Sequence, residues 1–270
     1  MVPTYHPSAA LYAGRRRGGA DIERAIVKDI RRAVSLCSEG TVPEARLDYR
    51  LADKIGLVEE VTDLLETSVG RVAFDWEGTD VRPLKNRPLG IAFSWRPGTG
   101  IYIPLAAKTA LGLVPYWKDD QNRVKDLLRR CLLSPARKVG HFMKYDLAVS
   151  ETYLGVSVAH ADFDSGMAHH LLDENAEHDL ESLAMEFTQL GAYKKKVEVY
   201  AGARRSAEYD LSQVPQQLLA EYACGDADAT LRLYEVFRPR LVEEQLWQLY
   251  TRITVPMINV LVGMELRGIC

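Results

Sequence analysis

Residues 71–80 read RVAFDWEGTD, a short apolar strand signal that runs directly into Asp75, Trp76 and Glu77. Side chains alternate faces along a strand, so Asp75 and Glu77 aim at one spot and Trp76 aims away from it, toward a core. Two like charges side by side are costly unless a cation or a proton lies between them. A chain that builds this segment into a sheet must bring such a partner to that spot.

Strand and helix signals alternate downstream. Strands are expected over 71–75, 89–95 and 100–104, with Arg96-Pro97-Gly98-Thr99-Gly100 as the turn between the last two. A helix over 122–133, a strand over 137–141, a helix over 145–154 and a strand over 159–163 follow. Helices over 165–172 and 179–188 come next, then a polar loop over 191–211 made basic by Lys194, Lys195, Lys196, Arg204 and Arg205. A long helix starts at Pro215 and runs to about Phe237, with proline in its first turn. This order predicts an α/β layered domain over 68–250. Upstream, Ile22, Ala25, Ile26, Ile30, Ala33 and Val34 recur at helical spacing, and a second helix is expected over 54–66, so residues 1–67 read as a linker and helical segment.

Three further features bear on chemistry. On the helix after Pro215, Leu219, Tyr222, Asp226, Ala229, Leu233 and Phe237 share one face, and Asp226 is its one carboxylate. A buried carboxylate demands a partner, and Tyr222 stands one turn before it. In KVGHFMKYD, a strand end and a short turn put Asp146 at a helix start. Carboxylates on a strand, a helix start and a later helix, without Cys or His at ligand spacing, suit Mg²⁺ or Mn²⁺ rather than zinc. Two such ions about 3.5–4 Å apart stabilise both oxygens of a phosphodiester displacement. His169 and His170 are adjacent on a helix, point apart, and are not expected to bind metal. The net charge of −3 gives no broad basic footprint for nucleic acid, but acids that hold divalent ions lower that count without excluding a nucleic-acid enzyme. No apolar run is long enough to span a bilayer. The four cysteines are far apart, which suits free thiols in a reducing compartment.

FDWEG, GHFMKYD and YACGDADATLRL, in this order, resemble the three exonuclease motifs of the proofreading domain of DNA polymerase I (family A) enzymes. This is the tyrosine-containing branch of the four-acidic-residue exonuclease superfamily. The similarity runs from about Gly70 to the C-terminus and includes FDSGMAHHLLDENAEHDLESLAMEF. It implies a ribonuclease-H-like exonuclease fold, a central mixed β-sheet flanked by helices. It implies that Asp75, Glu77 and Asp226 hold one metal ion, that Asp75 bridges to a second ion retained with Asp146, and that Tyr222 orients the attacking water. The implied substrate is a single-stranded DNA 3′ end, cut to nucleoside 5′-monophosphates with two Mg²⁺ or Mn²⁺ ions.

Substrate-side candidates are Gly78, His141, Phe142 and Lys144. The chain departs from the family at two of them, since Phe142 stands where asparagine is usual and Gly78 where threonine is common. His141 and Asp146 spell H-x-x-x-x-D, the mark of a sister branch, but there that motif comes last in the chain. VPMINVLVGMELRGIC, within the segment 251–270, resembles the start of a family A polymerase domain, which makes that domain of the parent chain an implied partner of a monomeric exonuclease domain. PTYHPSAALYAG resembles a C-terminal segment of uracil-DNA glycosylases, without the body of such a domain. The implied setting is the cytoplasm of a bacterial or phage-infected cell. A nuclease-dead scaffold, a single-strand-binding module and a ribonuclease of the same branch are the rival readings.

Overall fold

Strands rich in β-branched and aromatic residues build one six-stranded mixed sheet, and a single long helix crosses one face of it. The computed structural model describes residues 26, 27, 30, 34, 47–67, 70–188, 190, 194–202 and 209–269. Met1–Ala45 and Arg46–Cys270 are separate compact units. In the first, the four described residues are helical; its HPS-containing segment lies outside the described residues.

The second unit runs β1 (Asp48–Leu51), α1 (Ile55–Thr67), β2 (Arg71–Gly78), β3 (Pro88–Ser94), β4 (Thr99–Pro104) and a hairpin of β5 (Ala106–Thr109) and β6 (Gly112–Pro115). Then come α2 (Gln121–Leu133), β7 (Arg137–Gly140), α3 (Lys144–Val149), β8 (Ala161–Asp164), α4 (Ser165–Leu172), α5 (Leu180–Phe187) and α6 (Lys195–Ala201). The long helix α7 (Gln216–Glu243) and α8 (Val255–Leu266) complete it. The sheet order is β1-β4-β3-β2-β7-β8. The pairs β2–β3 and β3–β4 are antiparallel, while β1–β4, β2–β7 and β7–β8 are parallel.

Alternation along β2 decides what each face meets. Val72, Phe74 and Trp76 join Ile91, Phe93, Ile101 and Ile103 in a core closed by Val58 and Leu65 of α1 and Val124 and Leu128 of α2. Trp76 is buried there, and its indole Nε1 donates to Ser150 Oγ at 2.9 Å. On the other face, Ala73, Val139 and Phe163 pack on Ala229, Leu233 and Phe237 of α7. Further along, Leu89, Ala92 and Tyr102 pack on Leu219, Tyr222 and Ala223 of the same helix. At 28 residues α7 is about 40 Å long, enough to span the sheet. Asp75 and Glu77 belong to the α7 face.

Two expectations change. The segment 191–211 is not a loop throughout: α6 forms because Val197 and Ala201, four residues apart, make a narrow apolar stripe that seats against Leu211, Val214 and Leu219. The charged strand β1 carried no clear signal because it is a sheet edge with alternating exposure.

Edge, turn and helix are tied by one buried acid. Asp228, on α7 and fully buried, accepts from Tyr49 Oη of β1 at 2.8 Å and from the Gly98 amide of the β3–β4 turn at 2.9 Å. Arg232, one turn along, holds it through Nε at 3.0 Å. Removing the acid leaves a partly buried guanidinium and a buried amide unanswered. Asp228→Ala is therefore expected to lose about 3–5 kcal/mol of unfolding free energy, measured by urea denaturation, the range for breaking a buried ion pair.

Candidate active site

β2 carries Asp75 and Glu77 to where α7 presents Asp226, and one carboxylate oxygen from each of the three lies within 4.8 Å of the others. Glu77 and Asp226 are buried and Asp75 is half-buried. Tyr222 is also buried, one turn before Asp226 on α7. β3 makes room: Gly90 stands opposite Glu77, and a Cβ there would come within 2.3 Å of the Tyr102 ring. The Tyr102 ring fills that space. Its buried hydroxyl has no hydrogen-bond partner among the described residues. Burial, and then the charge of Glu77, push this phenol well above its usual range.

Asp146 comes in from the first turn of α3. β7 pairs with β2 only as far as Ala73–Val139. Beyond that point the Trp76 amide, between the two acids, donates to Asp146 Oδ1 at 2.9 Å. The turn that delivers Asp146 is held by Asp164, an acid that periodicity alone did not single out. Its buried carboxylate accepts from the amides of Phe142 at 3.1 Å, Met143 at 2.8 Å and Met167 at 2.9 Å. It thus caps α4 and fixes the residues before α3 at once.

The substrate-side candidates fall in different settings. Phe142 has φ +48° and is 42 % exposed, with its ring filling the space where a side chain on Gly166 would stand. A bulky residue at positive φ is a genuine outlier. His141 meets Ser165 Oγ at 2.9 Å and lies edge-on to Phe142. Gly78 sits at a register shift in β2, and a Cβ there would run into the Asn86 side chain, whose Oδ1 accepts from the Thr79 amide at 2.9 Å. This accounts for glycine in structural terms. The Lys144 ammonium pairs with Glu265 on α8 at 2.6 Å. His169 and His170 do not simply diverge: both rings meet His178 on the following loop, at 2.8 and 3.1 Å, because neighbours on a helix can straddle a third ring.

The basic loop expected over 191–211 contains a buried charge. Lys194 Nζ lies 2.8 Å from Asp226 Oδ1 and 2.9 Å from Oδ2, and 5.3 Å from the centre of the Tyr222 ring. Burial raises the Glu77 carboxyl well above the ordinary range, Asp75 and then Asp226 raise it further, and the Lys194 charge opposes them. Burial, then Asp75, raise Asp146 in the same way. Glu77 Oε1 is a buried oxygen with no hydrogen-bond partner among the described residues. An orphaned oxygen in a set of hard carboxylate donors fits a divalent cation of the Mg²⁺ or Mn²⁺ type.

The family model described as 3′-5′ exonuclease matches residues 49–242. DNA polymerase I of Pseudomonas aeruginosa is 28% identical over 230 residues, covering 83% of this chain and 24% of the relative. The DNA polymerase of Escherichia phage T5 is 27% identical, covering 82% and 26% respectively. The chain thus spans about a quarter of the length of these relatives. Among solved structures, Brucella melitensis NrnC bound to pGG aligns with a TM-score of 0.57 at 20% identity, covering 83% of this chain and 95% of that one. The catalytic core of RRP6 from Trypanosoma brucei aligns with a TM-score of 0.57 at 17% identity, covering 82% and 56%. The fold is the mixed α/β, ribonuclease-H-like exonuclease fold that the motifs implied.

Because folding raises Glu77 and Asp146, both favour the protonated form. Their contribution to stability is fully present in acid below the ordinary carboxylate range and is lost as pH rises through the raised values. In chelator, the melting temperature is expected to fall as pH rises from mildly acidic to alkaline. Glu77→Gln mimics the protonated acid, so it should match wild type at the acid end. At the alkaline end it should exceed wild type by about 1–2 kcal/mol, or roughly 2–8 °C, read by scanning calorimetry. A variant melting at or below wild type throughout contradicts this electrostatic account.

Proposed function

The chain belongs to the 3′-5′ exonuclease domain family of family A DNA polymerases, and on that premise we propose that it hydrolyses DNA from the 3′ end to nucleoside 5′-monophosphates with two Mg²⁺ or Mn²⁺ ions. The observation that carries this reading is the convergence of Asp75, Glu77 and Asp226 within 4.8 Å around a buried, unanswered Glu77 oxygen. Those three residues would hold one ion, and Asp146 would help retain a second beside Asp75. Bound there, the ions supply positive charge to the attacking and leaving oxygens of a phosphodiester.

The chain's own residues do the positioning. The Tyr222 hydroxyl orients the attacking water from its place one turn before Asp226. Burial of Glu77, Asp146 and Asp226 keeps bulk water from screening the charges. The exposed Phe142 ring, held at positive φ, offers a stacking surface for a terminal base, a contact worth about 1–3 kcal/mol in single-strand binders. His141 lies edge-on to it, Gly78 stands at the register shift of β2, and Lys144 is engaged by Glu265.

The relatives are bacterial and phage DNA polymerases, which supports DNA as substrate, a polymerase domain as neighbour and the cytoplasm of a bacterial or infected cell as setting. Met257, Val260, Leu261 and Met264 of α8 are exposed apolar side chains available to such a neighbour. None of the described helices is long and apolar enough to cross a membrane.

A labelled single strand incubated with Mn²⁺ should release mononucleotides from its 3′ end, and chelator should stop release. Asp75→Ala and Asp226→Ala should each lose about 10²–10³-fold or more in kcat, and Phe142→Ala should raise KM with less effect on kcat. Equal release from wild type and both acid variants would reject the assignment. Preference for a ribose over a deoxyribose end in the same assay would make the chain a ribonuclease.

A further inference from the structure

The Lys194 ammonium sits where an ion ligated by Asp226 has to arrive. It touches both oxygens of that carboxylate, at 2.8 and 2.9 Å, and both side chains are nearly inaccessible, 4% and 6% exposed. An ion accepting an Asp226 oxygen at ordinary Mg²⁺ ligand distance, about 2.1 Å, would stand within a few ångströms of Nζ. Two positive charges that close in a water-poor site repel strongly. Three converging carboxylates, in turn, do not stay buried and ionised without compensating charge. Ammonium and divalent ion are thus alternative ways of answering the same acids.

The lysine is also placed to move. Lys194 is the residue immediately before α6, a helix of 7 residues. That helix is seated by Val197 and Ala201 on one side and shows Val199 and Tyr200 to solvent on the other. With Nζ 5.3 Å from the centre of the Tyr222 ring, the lysine covers the phenol as well as Asp226. Withdrawing it uncovers both groups together.

We propose that Lys194 competes with the divalent ion for Asp226, so that loading the site with metal expels the lysine and frees the leading end of α6 from Tyr222. This rests on the reading of Asp75, Glu77 and Asp226 as a cation site. Lys194 acts as a positioning residue: it lowers metal affinity, and it couples metal binding to exposure of the groups that meet the substrate.

The test uses the full chain and two readouts other than activity. Mn²⁺ binding is followed by the loss of the free-ion electron paramagnetic signal, in wild type and in Lys194→Met. The variant is expected to bind Mn²⁺ about tenfold tighter or more, the equivalent of about 1.4 kcal/mol. On wild type alone, so that the result stands even where the variant does not fold, acylation of Lys194 is quantified by mass spectrometry in chelator and in saturating Mn²⁺. Labelling should be slow in chelator and rise about tenfold or more with Mn²⁺. Equal Mn²⁺ affinity in the two proteins, or a Lys194 that stays protected while Mn²⁺ is bound, would overturn the proposal and leave the cation site standing. Absence of Mn²⁺ binding in both proteins would overturn the cation site itself, and this proposal with it.

Discussion

Burying like-charged carboxylates against one another is the constraint around which this fold is arranged. Asp75 and Glu77 share a strand face, Asp226 faces them from α7, and burial pushes Glu77 toward its protonated form. A sheet that simply packed apolar residues on both faces would be more stable. What the chain gains is a spot where several oxygens converge with little water and little freedom to relax. The opposite face of β2, with Phe74 and Trp76 in a dense core, supplies the rigidity that holds the two acids in register.

The support for this spot is distributed along the chain. Asp164 gathers three amides and so fixes the turn into α3, which places Asp146 on the Trp76 amide. Gly90 lets Tyr102 lie beside Glu77. Asp228 locks α7 to the β3–β4 turn two positions beyond Asp226. Each is a buried polar or close-packed contact that costs stability unless its partner is in place. The acids are therefore held by their neighbours, and within the chain Lys194 answers the charge of Asp226.

Much of this was legible in the sequence where the signal is local. Alternation along 71–78 puts Asp75 and Glu77 on one face, and helical spacing after Pro215 puts Tyr222 and Asp226 on another, without knowledge of any other segment. Lys194 was not legible. It stands in a run of three lysines that reads as solvated, and its contact with Asp226 spans 32 residues and depends on a helix whose only apolar stripe is Val197 and Ala201. Tyr102 was hidden for a similar reason. Its strand was evident, but its reach over Gly90 toward Glu77 follows from sheet register, which alternation alone does not give. Asp164 was not singled out; it caps α4 in the structure, and its second role, on the turn before Asp146, needs the parallel pairing of β7 with β8.

Crystals of the chain soaked in Mn²⁺ and measured at the manganese absorption edge test the central claim most directly. Anomalous difference density should appear among the carboxylates of Asp75, Glu77 and Asp226, within ligand distance of Glu77 Oε1. Well-ordered acids with no anomalous peak among them, or a peak only elsewhere on the molecule, would contradict it.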